Sequence, residues 1–277
     1  MDARPEDPHH RRLYVLIRGL FTPSPGRRRI LLAWTAGLAC HALFALAVLA
    51  MIGNMALGMQ AGLGSVPWPW AVLANAALVA QFPLGHSALL SRPGQKLLAR
   101  LAPSEHGKTL ATTTYALLAS VQLLALYALW TPSGVIWWQA SGPALVATSL
   151  LYGASWLLLI KASWDAGAEV QSGMLGWMSL ARGVRPVFPA LPVRGLFRHI
   201  RHPIYLAFAL TLWTVPTWTP DQLALASVLT LYCVLAPRLK EGRLRRLHGP
   251  RFDAYAARTP YMLPALPRRR RAQDTGI

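Results

Sequence analysis

The chain is short of acid. Of its 277 residues only 10 are Asp or Glu, against 28 Lys or Arg, which leaves a formal net charge of +18 at pH 7. Charge of either sign is scarce, at 14% of residues, where about 25% is usual for a soluble domain. With 54% hydrophobic residues as well, a soluble globular domain is excluded. Cysteine is nearly absent. Cys40 and Cys233 both fall inside apolar runs, so a disulfide framework is excluded and both read as buried thiols. There is no Walker loop, no dinucleotide-binding glycine pattern and no nucleophile elbow. The histidines lack the paired spacing of a metal-binding helix face, so no metal site is expected. Internal repeats are not evident.

What the chain has instead is apolar length. A bilayer core takes a helix of about 20 apolar residues. Such runs lie near 30–51, 71–90, 109–130 and 142–160, and a shorter pair follows at 203–218 and 222–237. They predict an all-α polytopic membrane protein with about six transmembrane helices. The basic residues set its orientation. Segments 1–29, 91–108, 161–202 and 238–277 carry 7, 4, 6 and 11 Lys or Arg, all 28 of them, and the three intervening connections carry none. Positive charge gathers on the cytoplasmic side, so both termini are expected there. The chain divides into a basic lead-in (1–29), a four-helix region (30–162), a lid segment with a helical hairpin and closing region (163–264), and a basic tail (265–277).

The net charge therefore calls for membrane lipids rather than nucleic acid. Attraction to anionic headgroups is worth ~1 kcal/mol per basic residue near the surface, and no aromatic-basic soluble module is present. No obligatory protein partner is inferred. The PRRRRAQDTGI tail reads as a disordered, membrane-facing stop signal. Trp68, Trp70, Trp130, Trp137, Trp138, Trp164 and Trp177 lie near predicted helix ends, as an aromatic belt would.

The polar residues that need a reason are few. RHIRHPIY (198–205) sets Arg198, His199, Arg201 and His202 against the start of an apolar segment at Pro203. Roughly forty residues later, Glu241 stands among Arg238, Lys240, Arg243 and Arg245, about one turn past the last apolar helix. It reads either as a surface charge partner or as an acceptor for a cationic ligand group. In the second run, Gln81 reads as an interhelical hydrogen-bonding residue. His86 is balanced between a place at the interface and a functional one, because polar groups at membrane depth are costly. His41 reads as structural. The connection 165–202, rich in glycine and proline, leads directly into RHIRHPIY and is expected to form a lid or wall over a site.

Taken together, RHIRHPIY, the apolar hairpin and RLKEGRLRRLHGPRFDAYAARTPYMLP resemble the C-terminal half of the isoprenylcysteine carboxyl methyltransferase-like membrane proteins. The likeness covers roughly residues 194–264. Upstream, QFPLGHSALLSRPG and TTTYALLASVQLLALYALWTP are most similar to the methanethiol S-methyltransferase branch. The resemblance implies S-adenosylmethionine (SAM) bound at the cytoplasmic membrane face. His202, Pro203 and Tyr205 fall on the motif that wraps it, Glu241 on the last glutamate of an acidic run, and Gly249, Phe252, Tyr255, Arg258 and Pro260 on the closing pattern. His199, Arg201, His202, Pro203, Tyr205, Glu241 and Tyr255 are thus the expected cofactor contacts, with Arg201, His86 and Arg258 as catalytic candidates. Two positions depart from the family: Ala207 stands where a glycine is common, and Lys240 where the first glutamate would be. The implied reaction is methylation of a small thiol such as methanethiol, in a bacterial inner membrane. A lipid-borne acceptor such as a prenylcysteine carboxylate, or a non-catalytic protein keeping the fold, are the alternatives.

Overall fold

The computed structural model describes residues 4, 7–103 and 105–264. The basic tail, 265–277, lies outside the described residues. In chain order the helices are α1 (His9–Phe21), α2 (Arg27–Ala56), α3 (Trp70–Leu89), α4 (Arg92–Leu101), α5 (Gly107–Ala128), α6 (Gly142–Asp165), α7 (Ala168–Gln171), α8 (Met174–Arg182), α9 (Pro203–Trp213), α10 (Pro220–His248) and α11 (Pro250–Arg258). A 3-10 turn, Gly195–Arg198, precedes α9. The only strands among the described residues are β1 (Trp138–Gln139) and β2 (Thr217–Trp218), paired antiparallel.

All six predicted apolar helices form, and the chain is an all-α polytopic membrane protein. Five of them, α2, α3, α5, α6 and α10, are long and apolar enough to cross a membrane. The sixth, α9, has 11 residues and is about 16 Å long, so it reaches only part-way. Its partner α10 is correspondingly longer than the apolar run at 222–237. No strong breaker follows Pro237, and the Leu, Lys, Arg and Glu residues from 238 onward favour helix. It stops only at Gly249, whose φ of 51° suits a residue without Cβ. Glu241 is therefore on the helix itself rather than a turn beyond it.

One end of the bundle has no basic residue in its connections, 57–69, 129–141 and 214–219. That end is tied by Asp221, which accepts from Gln60 Nε2 (2.9 Å), Trp130 Nε1 (3.1 Å) and Ser133 N (3.0 Å). Thr219 caps α10 by accepting from Gln222 N. Beneath these polar ties, Met51, Met55, Leu126, Tyr127, Leu212, Leu225 and Leu229 form the main core. Trp130 and Trp177 are buried in the structure and donate to Asp221 and His41, so they leave the predicted aromatic belt; Trp68, Trp70, Trp137, Trp138 and Trp164 are exposed. His41 is the structural residue expected, and Gln81 bridges to the Gln122 carbonyl on α5 at 2.9 Å.

The other end carries the basic residues. There the connection 165–202 divides in two. In its first part α8 is a wedge inserted between α1, α2 and α5, with Leu175 through Ala181 all buried. Gly173 makes the insertion possible. Its φ is +78°, and a Cβ there would sit 2.7 Å from that of Ala116. The second part, from Val184 to the 3-10 turn, covers the bundle end as a wall. Leu191 packs there against Phe252 and Tyr255 of α11. Cys40 and Cys233 are free and buried.

Candidate active site

Pro203 begins α9 at its first turn, which leaves the preceding residues non-helical. Their directions divide RHIRHPIY. Arg198 and His199 are exposed, whereas Arg201 and His202 turn inward and meet Glu241 of α10. Arg201 Nε donates to Glu241 Oε1 at 2.7 Å, and His202 Nε2 lies 2.8 Å from the same oxygen. Arg201 Nη1 also donates to the carbonyls of Ala256 (2.8 Å) and Thr259 (2.6 Å), and its backbone N–H to Pro260 O (2.9 Å). One guanidinium thus fastens α9, α10 and the end of α11 together, using the fork geometry that a lysine lacks.

Two atoms of this corner remain available. Both hydrogen bonds to Glu241 use Oε1, so Oε2 is open to another donor. His202 is 2% exposed, and its Nδ1 is buried without a hydrogen-bond partner. Burial pushes its imidazole down to about 4, against the opposing pull of Glu241. His202 is therefore neutral at pH 7, donates Nε2–H to the carboxylate, and turns an unused acceptor lone pair into the corner. Aromatic rings wall the space: Tyr261 lies 4.8 Å from the His202 ring between centroids and 5.6 Å from the Arg201 guanidinium carbon, and Tyr205 lies 5.9 Å from His202.

Tyr255 is near the corner but committed elsewhere. Its hydroxyl donates to Phe197 O at 2.6 Å and burial pushes it up to about 12, so it anchors α11 to the 3-10 turn. Arg258 is exposed and bonds back to Ala254 of its own helix, and it does not join Arg201. His86 lies across the bundle, with Nε2 2.6 Å from Tyr115 OH and Nδ1 buried without a partner. Between His86 and the Glu241 corner stand Ser87 and Tyr232, 3.5 Å apart, and then Tyr205 with Lys240 over its ring at 5.7 Å. Tyr115, Tyr232, Arg243 and Tyr261 were not singled out as candidates from sequence. Only Tyr261 left a trace there, as the aromatic residue just after the Pro260 that closes the motif.

The residues of the corner suit the methionine end of SAM: a carboxylate oxygen for its ammonium, an unpaired imidazole nitrogen for a donor, and aromatic faces for a sulfonium. A separate cleft of about 420 Å³ is lined by His9, Trp164, Glu169, Arg194 and Arg251 among others, and its carboxylate, Glu169, is already held by Arg12 with His9 against it.

Comparison with known proteins points the same way. Methanethiol S-methyltransferase 2 of Bradyrhizobium diazoefficiens is 29% identical over 259 residues, 90% of this chain and 95% of that protein. The methanethiol S-methyltransferase of Pseudomonas deceptionensis is 26% identical over 229 residues, 80% of this chain and 84% of its own length. Nurim of Xenopus laevis is 33% identical over 141 residues, about half of each chain. The chain is thus similar to the methanethiol S-methyltransferase branch of the isoprenylcysteine carboxyl methyltransferase-like membrane proteins. This likeness agrees with the motif read at 198–264. No family model and no solved structure matches the chain.

Proposed function

We propose that this chain is a SAM-dependent integral-membrane methyltransferase that S-methylates a small thiol, with methanethiol converted to dimethyl sulfide as the favoured case. The observation that carries this reading is the run of relatives named methanethiol S-methyltransferase, 26–29% identical over 70–90% of the chain. The corner of Arg201, His202 and Glu241 supports it with chemistry suited to the donor. Glu241 Oε2 would accept from the donor's ammonium, His202 Nδ1 would take a further hydrogen bond, and Arg201, which holds Glu241, would turn its charge to the donor's carboxylate. Pro203 sets the direction of the His202 backbone, and Tyr205 offers a ring face. When bound, SAM supplies an electrophilic methyl group on a sulfonium. The protein contributes position and dryness, because attack by a thiolate cancels two charges and is favoured where water is excluded. His86 is the candidate proton acceptor: with Nε2–H donated to Tyr115, its Nδ1 lone pair is free. We place the basic end, with both termini, on the cytoplasmic side of a bacterial inner membrane.

Methyl-labelled SAM and methanethiol, supplied to the purified protein in a bilayer mimic, should yield labelled dimethyl sulfide. Label recovered instead in added lipid extract would assign a lipid-borne acceptor. No transfer and no saturable SAM binding, with folding intact, would leave a non-catalytic protein.

A further inference from the structure

Lys240 and Glu241 are neighbours on α10, and successive helical residues point about 100° apart. The structure gives the two charges different company. Glu241 meets Arg201 and His202, whereas the Lys240 ammonium lies 5.7 Å from the centre of the Tyr205 ring. Arg243 is three residues on, so it shares the Lys240 face of the helix. It is close enough to act electrostatically on Tyr205, Tyr232, His86 and Tyr115. The groups facing Lys240 are thus Tyr205 and His202 from α9 and its cap, Tyr232, Glu241 and Arg243 from its own helix, and the His86–Tyr115 pair beyond. Glu241, the acid among them, is already held by Arg201 and His202, which leaves the Lys240 side cationic.

We propose that Lys240 and Arg243 form the acceptor subsite, a cationic pocket between α3, α5, α9 and α10 that binds the incoming thiol as its thiolate. This inference rests on the methyltransferase reading and assigns the second substrate within it. The acceptor R–SH gives its proton to His86 Nδ1, and the resulting R–S⁻ is held by the two cations. The thiolate sulfur then forms a bond to the methyl carbon as that carbon's bond to the sulfonium sulfur breaks. Two neutral thioethers result, and the proton leaves to solvent. A protonated amine headgroup would be repelled from the same pocket. The lysine that departs from the family's acidic run thereby has a use: it moves positive charge to the nucleophile while Glu241 keeps the donor side negative.

Magnitudes decide whether such a cation helps. Lowering the bound thiol's pKa by one unit gives about ten times more thiolate near neutral pH. Thiolate nucleophilicity falls with pKa at a slope of about 0.5, which takes back about threefold. The net gain is about threefold at neutral pH and turns into about a threefold deficit once the thiol is ionised anyway.

The test compares wild-type protein with Lys240→Met and Lys240→Arg, reading the SAM dissociation constant by calorimetry and kcat/KM for methanethiol across pH. Lys240→Met should leave SAM affinity within about twofold, lower kcat/KM about threefold near pH 7, move its apparent pKa up by about one unit and cross the wild-type profile to exceed it about threefold in alkali. Lys240→Arg should restore the wild-type profile. An unchanged profile in Lys240→Met, or an equal loss of SAM affinity, would overturn the assignment. A flat wild-type profile, as an acceptor carboxylate would give, would do so as well. Failure of the wild-type protein to bind SAM would instead remove the underlying reading.

Discussion

Two carboxylates of this protein are each held by one arginine and one histidine, and the comparison separates scaffold from site. Glu169, on α7, takes Arg12 Nε at 3.1 Å and Nη2 at 2.9 Å, with His9 Nδ1 2.8 Å away. Glu241, on α10, takes Arg201 Nε at 2.7 Å and His202 Nε2 at 2.8 Å. The partners are alike, but the surroundings differ. The Glu169 side chain is 0% exposed, and its arginine also reaches the Val187 carbonyl, so the group ties α1 and the covering wall to α7. The Glu241 side chain is 13% exposed, with one oxygen open, an unpaired imidazole nitrogen beside it and aromatic rings around it. Arg12 holds Glu169 Oε1 and His9 lies against Oε2, so a side chain faces each oxygen, whereas at Glu241 both partners use Oε1. A side chain against each carboxylate oxygen marks the scaffold pair, and an oxygen left without one marks the binding pair.

The largest effect expected from breaking this comparison is at Glu169. Glu169→Gln takes from the buried Arg12 the carboxylate it holds through Nε and Nη2, and breaking a buried pair in this way costs about 3–5 kcal/mol. The melting temperature in detergent should fall steeply, whereas Glu241→Gln should lower it far less. Comparable losses would mean that both groups are scaffold.

A smaller effect is set by pH. Burial holds both His9 and His202 below the ordinary value near 6.5, His202 at about 4. The unfolded chain takes up these protons first as the solution is acidified. Stability is therefore full above about 6.5 and is lost as pH falls toward 4. His202→Asn should flatten that acid loss, seen as a smaller difference in melting temperature between pH 7.5 and pH 5. A slope unchanged by the substitution would contradict the neutral, carboxylate-donating imidazole.

The membrane helices were legible because apolar length is a direct signal, and the basic segments fell at one end as counted. The far end of α10 was less so. Hydropathy drops after Pro237 while helix propensity does not, so a span read from hydropathy ended too early. The burial of α8 left no mark because nine residues flanked by glycines show no useful period. Within RHIRHPIY the residue types pointed to a site, but which of four cations turns inward depends on the 3-10 turn and on Pro203. The pairing of His86 with Tyr115, and of Lys240 with Tyr205, joins residues on different helices, which spacing alone does not reveal. A family motif supplied what local physics lacked: it placed Glu241 beside His202 across a hairpin.

The central claim is that the Arg201–His202–Glu241 corner binds the methyl donor through the open side of its carboxylate. Calorimetric titration of SAM into wild-type protein, Glu241→Ala and Asp253→Ala tests it most directly. Asp253 carries the same charge nearby but pairs with Arg245 in solvent, both side chains being more than half exposed. The account predicts that Glu241→Ala weakens binding about tenfold or more, a loss of about 1.4 kcal/mol, and that Asp253→Ala leaves it unchanged. Equal dissociation constants for the two variants would contradict it.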